Sequence, residues 1–349
     1  MTKYKFTFVL GAGASQEVGL PVGTTLRDQI ASLLNITFDF GRQKTGDSLV
    51  MAAIRECTQL PGAKEQDANA YVHACRRIRD ALPQSISIDN LIDTHRGNGL
   101  IEICGKLGIA RAILRAERQS SLYFDPSNKP RPDLSRVAKA WLTPFFQLLT
   151  ENCPLPLLPE RLKSTAFVIF NYDRCLEQFL FHSLQNVYGV TEQQALDLTR
   201  QLTILRPYGS VGALRSLGSG RSIPFGGEPD ASQLLELALG VKTFTEGIDP
   251  AKSDIQTIRE AVTSTQKLVF LGFAFHPSNI DLLFPLETRA VNGTSTRVFF
   301  TDKGLSSSAT DDICSELERR VTSSIEHGLQ TSCFDLFTEY WRQLSMTRA

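Results

Sequence analysis

The sequence predicts a doubly wound α/β fold of the Rossmann-like kind, a parallel sheet with helices on both faces and a large helical insertion capping the ligand edge. Two observations carry this. KFTFVL (5–10), TAFVIFN (165–171) and KLVFLGFAF (267–275) are short, nearly continuous apolar runs, as parallel strands covered on both faces require. The first two are followed by helical patterns, GTTLRDQIASLL from Gly23 and DRCLEQFLFHSLQNVYG from Asp173. Strand-then-helix alternation is the signature of this fold class, whose ligands bind at the carboxyl ends of the strands.

The opening strand stops at Gly11, and Gly11, Gly13, Gly19 and Pro21 punctuate the turn into the first long helix. From about 28 to 160 the chain reads mostly as helix. QDANAYVHACRRIRDAL, SIDNLIDTHR, GLIEICGKLGIARAILRAERQ and DLSRVAKAWLTPFFQLLTEN all carry apolar residues three and four apart. The stretch 206–230 holds six glycines and is expected to be a long mobile loop. TRVFFTD (296–302) reads as a late strand, and the last residues, including FDLFTEYWRQL, as amphipathic helix. The expected organisation is a discontinuous Rossmann-like domain (1–27 and 161–305), a helical cap (28–160) and a C-terminal helical segment (306–349).

Lys plus Arg (37) balance Asp plus Glu (37), so no global field draws the chain to nucleic acid or an anionic membrane. No stretch approaches the length of an apolar membrane span, and the expected location is cytoplasmic. Seven scattered cysteines without a C-x-x-C argue against a disulfide framework and against a Cys-ligated zinc site, and no metal is expected.

A glycine-rich turn between a parallel strand and a helix offers N–H groups and a positive helix end to phosphate oxygens. G-x-G-x-x-G is not met, because Gln16 stands where the third glycine belongs, and the P-loop G-K-[ST] is absent. Two readings stay open: phosphate binding, or a tight strand-to-helix turn and nothing more.

GAGAS followed by GLP (Gly11, Ala12, Gly13, Ala14, Ser15, then Gly19, Leu20, Pro21) resembles the first motif of the sirtuin-like family. FNYDRCLE resembles its T-x-N-x-D motif, with Asn171 and Asp173, and LVFLGFAFHPSN resembles its late glycine-turn motif around Gly272. The likeness covers the strands of the sheet, under half of the chain. It implies NAD, bound as a substrate, with its pyrophosphate on the Gly11–Ser15 turn and its nicotinamide ribose near Asn171. Sirtuin deacetylases carry a four-cysteine zinc ribbon that this chain lacks, which points to the bacterial anti-phage branch that cleaves NAD. The implied activity is an NAD glycohydrolase giving nicotinamide and ADP-ribose, gated by homo-oligomeric assembly or by a partner. Effectors of this kind are often paired with an ATPase translocase or a nucleic-acid sensor on another chain.

Cleavage of the nicotinamide–ribose bond leaves a cationic sugar carbon, and an uncharged amide such as Asn171 can orient a water or hydroxyl toward it. Asp173 either bonds the carboxamide or caps the following helix. Where the family has His-Gly, this chain has Tyr208 and Gly209. A phenol titrates near pH ~10 and is a poor base at neutrality. Tyr208 therefore positions the ribose, or a histidine substitutes, or the site binds without turnover as a silent regulatory subunit. Protein deacylation is the third function considered. Among the histidines His276, just past a strand at the carboxyl edge, is the leading candidate to touch ligand. His95 follows on a cap helix face, and His182 and His327 read as surface or helix residues. Arg27, Arg206, Arg215 and Arg221 are weaker phosphate candidates.

Overall fold

The computed structural model describes residues 3–59, 67–128, 131–214, 222–249, 254–285, 296–321 and 324–346. Arg215 and Arg221 lie outside the described residues. Six strands form one sheet: β1 (Tyr4–Leu10), β2 (Thr165–Ile169), β3 (Thr203–Leu205), β4 (Thr265–Leu271), β5 (Arg297–Phe300) and β6 (Ser324–His327). Every neighbouring pair is parallel, and the spatial order is β3-β2-β1-β4-β5-β6. This is the order of doubly wound dinucleotide-binding sheets, with the switch point between β1 and β4. The register pairs Phe8 with Phe167 on one side and Val269 on the other, so β1 is the fully flanked central strand.

Both sheet faces are buried, which is why the strand sequences lack polar alternation. Val9, Val168, Phe270 and Phe300 point into one core; Phe8, Phe167, Val269 and Phe299 point into the other. Phe8, Phe145 and Phe167 interlock with ring centroids 5.1–5.3 Å apart. The polar Thr7, fully buried on β1, is satisfied by donating to the Ala261 carbonyl at 2.7 Å.

The helices within residues 28–160 divide between the two cores. Helices Gly23–Leu34, Ser48–Cys57, Ala68–Ala81 and Gly99–Gln119 pack together in the first core, whereas Leu142–Thr150 packs in the second against Cys175–Tyr188 and Cys333–Glu339. The stretch 133–152, expected to be one helix, is a short 3-10 turn (Leu134–Val137) followed by Leu142–Thr150. The break is explained by Pro144 near the helix start, where a missing N–H costs nothing. An antiparallel hairpin, Thr37–Asp39 with Arg42–Thr45, lies where helix was expected. The helix Ile88–Thr94 reaches over the carboxyl edge of the sheet, where the Tyr172 hydroxyl, three residues past β2, donates to the Asp89 carboxylate. Burial raises the pKa of that carboxyl.

The glycine-rich stretch 206–230 is hydrogen-bonded where it is described, and residues 215–221 of the expected loop lie outside the described residues. Ala213–Leu214 pairs with Ser222–Ile223, and the Arg174 guanidinium donates to the carbonyls of Ala213, Ile223 and Pro224. All seven cysteines are free, and all but Cys314 are buried. No helix among the described residues is long and apolar enough to cross a membrane.

His182, expected to be a surface or helix residue, is in a helix and away from the surface. It is buried in the helix Cys175–Tyr188 with its ring edge-on to Phe124 and Phe181, and Nδ1 has no partner among the described residues. Desolvation, with a smaller contribution from Arg131, lowers its pKa to about 4 from 6.5. The unfolded chain binds this proton at higher pH than the folded one. Its contribution is therefore complete above about pH 6.5 and is lost as pH falls toward about 4, on the order of 3 kcal/mol in all. Urea midpoints are expected to drop between about pH 7.5 and about pH 5, and His182→Gln is expected to flatten that part of the profile.

Candidate functional site

The site is built where β1 and β2 end. Leu10 hands over to Gly11, which caps a short helix, Ala12–Gln16, and the next turn is closed by Gly19 in the left-handed region (φ 95°). Beside it, β2 ends at Ile169 and leads through Phe170 into Asn171. The Asn171 side chain is the joint: Nδ2 donates to the Gly11 carbonyl at 2.9 Å and to the Ser15 hydroxyl at 2.9 Å. The two segments meet at one edge of the sheet.

The glycines have a structural cause. A Cβ on Gly11 would lie 2.4 Å from the Gly272 carbonyl oxygen, and one on Gly13 would lie 2.7 Å from the Gly272 Cα. Gly272 itself (φ 56°) follows β4, and a Cβ there would meet the Ala14 nitrogen at 2.1 Å. Three glycines thus let the turns after β1 and β4 touch backbone to backbone across the switch point. The contact also consumes donors. Gly11 N–H donates to the Leu271 carbonyl, Gly13 N–H to the Gly272 carbonyl, and Ala14 N–H to the Gly11 carbonyl, each at 3.0 Å. The turn that was expected to offer bare amides offers few in this arrangement.

Between this turn and Asn171 lies a cavity of about 10 Å³, lined among others by Ser15, Trp141, Asn171, Asp173, Cys175 and Arg206. That is room for about one water, whereas small-molecule pockets run to roughly 300 Å³ and more. Asp173, buried, accepts at 3.1 Å from the N–H of Cys175, the first residue of the helix Cys175–Tyr188, from one position before the cap residue Arg174. Arg206 donates to the Asn171 carbonyl at 2.8 Å and grips Glu177 through both carboxylate oxygens at 2.8 and 3.0 Å, which fixes the backbone under the amide.

Two supports escaped the sequence reading. The Trp141 indole N–H donates to the Ala14 carbonyl at 2.9 Å, from a position where the ring is buried against Phe145 and Phe337. Glu17 accepts from the backbone N–H of Trp141 (2.8 Å) and of Phe334 (2.9 Å), clamping the insertion and the C-terminal helix onto the glycine turn. Burial raises the Glu17 pKa despite these hydrogen bonds. A lone acid in GAGASQEVGLP gave no sign of partners 124 and 317 residues away.

Tyr208 and His276 stand elsewhere. Tyr208 is buried, edge-on to Phe170 and Phe244, with its hydroxyl donating to Asn279 Oδ1 at 2.5 Å. Desolvation first, then Asp89 and Asp93, push its phenol far above the ordinary value. Gly209 (φ 70°) packs on the Gly240 carbonyl, where a Cβ would lie at 2.1 Å. His276 precedes the helix Pro277–Leu283 and bonds Ser278 through Nδ1 at 2.8 Å. Neither Tyr208 nor His276 lines the cavity at Asn171. Leu20 is buried and Pro21 half-buried just beyond the turn. His95 bonds the Leu91 carbonyl and Arg77, Arg27 donates to the Ser85 carbonyl, and His327 stacks on Phe300. In the segment GVKTFTEG (240–247), Thr243 and Glu246 form a capping box, bonding each other's backbone, and Glu246 also pairs with buried Lys106 at 2.8 Å. Among the described residues no group of three or more His, Cys, Asp or Glu is placed to hold a metal ion.

In comparison with known proteins, the chain matches no family model and no curated protein sequence.

Proposed function

We propose that this chain is an NAD glycohydrolase of the sirtuin-like type, with its substrate cleft closed until assembly or a partner opens it. The observation that carries the reading is the Asn171 carboxamide bridging the Gly11 carbonyl and the Ser15 hydroxyl at the carboxyl edge of β1 and β2. The strand order, with its switch point beside that turn, gives fold-level support. Asn171 would orient a water toward the ribose carbon as the bond to nicotinamide breaks. The bonding pair leaves with the pyridinium nitrogen and neutralises it; water supplies the new C–O bond and releases a proton. Asp173, the carboxylate on the cavity wall, favours the cationic sugar by its charge. The cavity of about 10 Å³ requires that its wall move before a dinucleotide enters, consistent with an activity held off in the free chain.

The competing reading is a catalytically silent NAD-binding subunit, and Tyr208 favours it, since a phenol pushed up by burial cannot serve as a base at neutral pH. Chromatography of NAD incubated with the full chain, alone and with candidate activators, alongside calorimetry of NAD binding, separates the two. Release of nicotinamide supports the hydrolase. Binding of intact NAD under activating conditions supports the silent subunit, and no binding under any condition overturns both.

In the hydrolase reading Tyr208 is structural, so Tyr208→Phe is expected to keep turnover within a few-fold. It should cost about 1–3 kcal/mol in thermal or urea unfolding, because Asn279 Oδ1 loses its donor. A hundredfold fall in turnover with unchanged stability would place the phenol in the chemistry.

A further inference from the structure

The hairpin after the first long helix combines two costs that its own fold does not repay. Phe40 and Gly41 form its two-residue turn with φ values of 46° and 77°. Such turns take Asn, Asp or Gly at these positions, and a phenylalanine there is strained. The ring gains no burial in exchange: Phe40 is 102% exposed, and Phe38 beside it 39%. Strain together with a fully solvated aromatic side chain at a tip describes an anchor for another surface.

A groove of matching size lies beside the segment that leads out of the hairpin. A groove of about 170 Å³ runs between the helices Gly23–Leu34 and Gly99–Gln119, floored by Leu33, Ala112 and Ala116 and rimmed by Gln29, Ser32 and Arg115. A cavity of about 150 Å³ accepts a benzene ring. The residue that caps the next helix, two positions past the hairpin's exit strand, sits on this wall: the Asp47 N–H donates to the Leu33 carbonyl at 2.9 Å, and the Asp47 carboxylate lies 3.6 Å from Arg115. Charged groups of both signs are exposed on both elements. The hairpin exposes Asp39 beside Arg42 and Lys44, while the groove rim exposes Arg115 and, one turn before Ser32, Asp28.

We infer that this patch is the interface of a two-fold symmetric dimer, in which Phe40 of each protomer seats in the groove of the other. An exposed arm whose base is anchored on the groove wall through Asp47 suits an isologous contact, in which one patch is complementary to itself. The inference is independent of the nucleotide reading.

Sedimentation equilibrium of the full chain tests it with two variants at exposed positions, Phe40→Ser, which removes the anchor, and Ser32→Trp, which fills the groove. The wild type is expected to dimerise, and each variant to raise Kd by at least about a hundredfold, since both symmetric contacts are lost, with thermal unfolding of the monomer unchanged. An equimolar mixture of the variants retains one intact arm–groove contact and is expected to associate more tightly than either alone. A wild type that stays monomeric, a dimer that tolerates both variants, or one that responds to Phe40→Ser but not to Ser32→Trp would overturn the inference.

Discussion

Asn171→Ala is expected to lower NAD cleavage by about 10²–10³-fold, the loss typical when a preorganised hydrogen-bonding group is removed from a reacting centre. The substitution removes both bonds of the carboxamide, to the Gly11 carbonyl and the Ser15 hydroxyl. The fold is expected to tolerate this. The Asn171 backbone stays anchored by Arg206, and the freed groups border a cavity able to hold about one water. Asn171→Asp is the sharper control, because it keeps shape and loses the donor, and it places a carboxylate against the Gly11 carbonyl. Both variants should retain NAD binding within about tenfold by calorimetry while product release collapses. Equal losses in binding and turnover would instead make Asn171 a ligand anchor, and unchanged turnover would remove it from the chemistry.

The largest expected effect on stability lies one motif position away. Glu117→Ala is expected to cost about 3–5 kcal/mol, as for a buried pair broken on one side. Glu117 and Arg174 are both essentially inaccessible, at 0% and 1%. The carboxylate accepts from Arg174 Nε at 3.0 Å, Nη2 at 2.5 Å, the Arg174 backbone N–H at 3.1 Å and the Gly226 N–H at 3.0 Å. Buried ion pairs can often be replaced by apolar pairs without loss. This one is expected to resist, because Glu117→Leu with Arg174→Met also strands the carbonyls of Ala213, Ile223 and Pro224 and the N–H of Gly226. Urea midpoints for the two single variants and the double variant decide the matter. A double variant as stable as the wild type would show that the pair is dispensable and that residues 213–214 and 222–226 are held by other contacts.

The strands were legible because burial on both faces writes a local signature. TAFVIFN contains the strand observed there, KFTFVL and KLVFLGFAF overlap theirs, which begin one and two residues earlier, and Gly99–Gln119 coincides with its helical pattern. β6, SIEH, was missed because a four-residue edge strand with partly exposed side chains has no apolar run to announce it. The hairpin at 37–45 was missed for the same reason, its burial pattern being mostly exposed. The break in 133–152 was hidden because apolar spacing continues through a 3-10 turn.

At the site, the sequence by itself determined which residue types stand at the strand ends: glycines where backbones must approach, an amide and an acid after β2, and a tyrosine before Gly209. Only the tertiary structure decided what those residues face. Gly11 and Gly13 are small because Gly272, some 260 positions later, presses on them, and Asn171 meets Ser15 because β2 is the parallel neighbour of β1. Tyr208 was read without its partner Asn279, and Arg174, the partner of Glu117, was not singled out, yet those contacts set their roles. The physical reason is range. Strand and helix patterning is local burial, readable within a few residues, whereas hydrogen bonds and close backbone contacts at a sheet edge join segments that only the folded chain brings together.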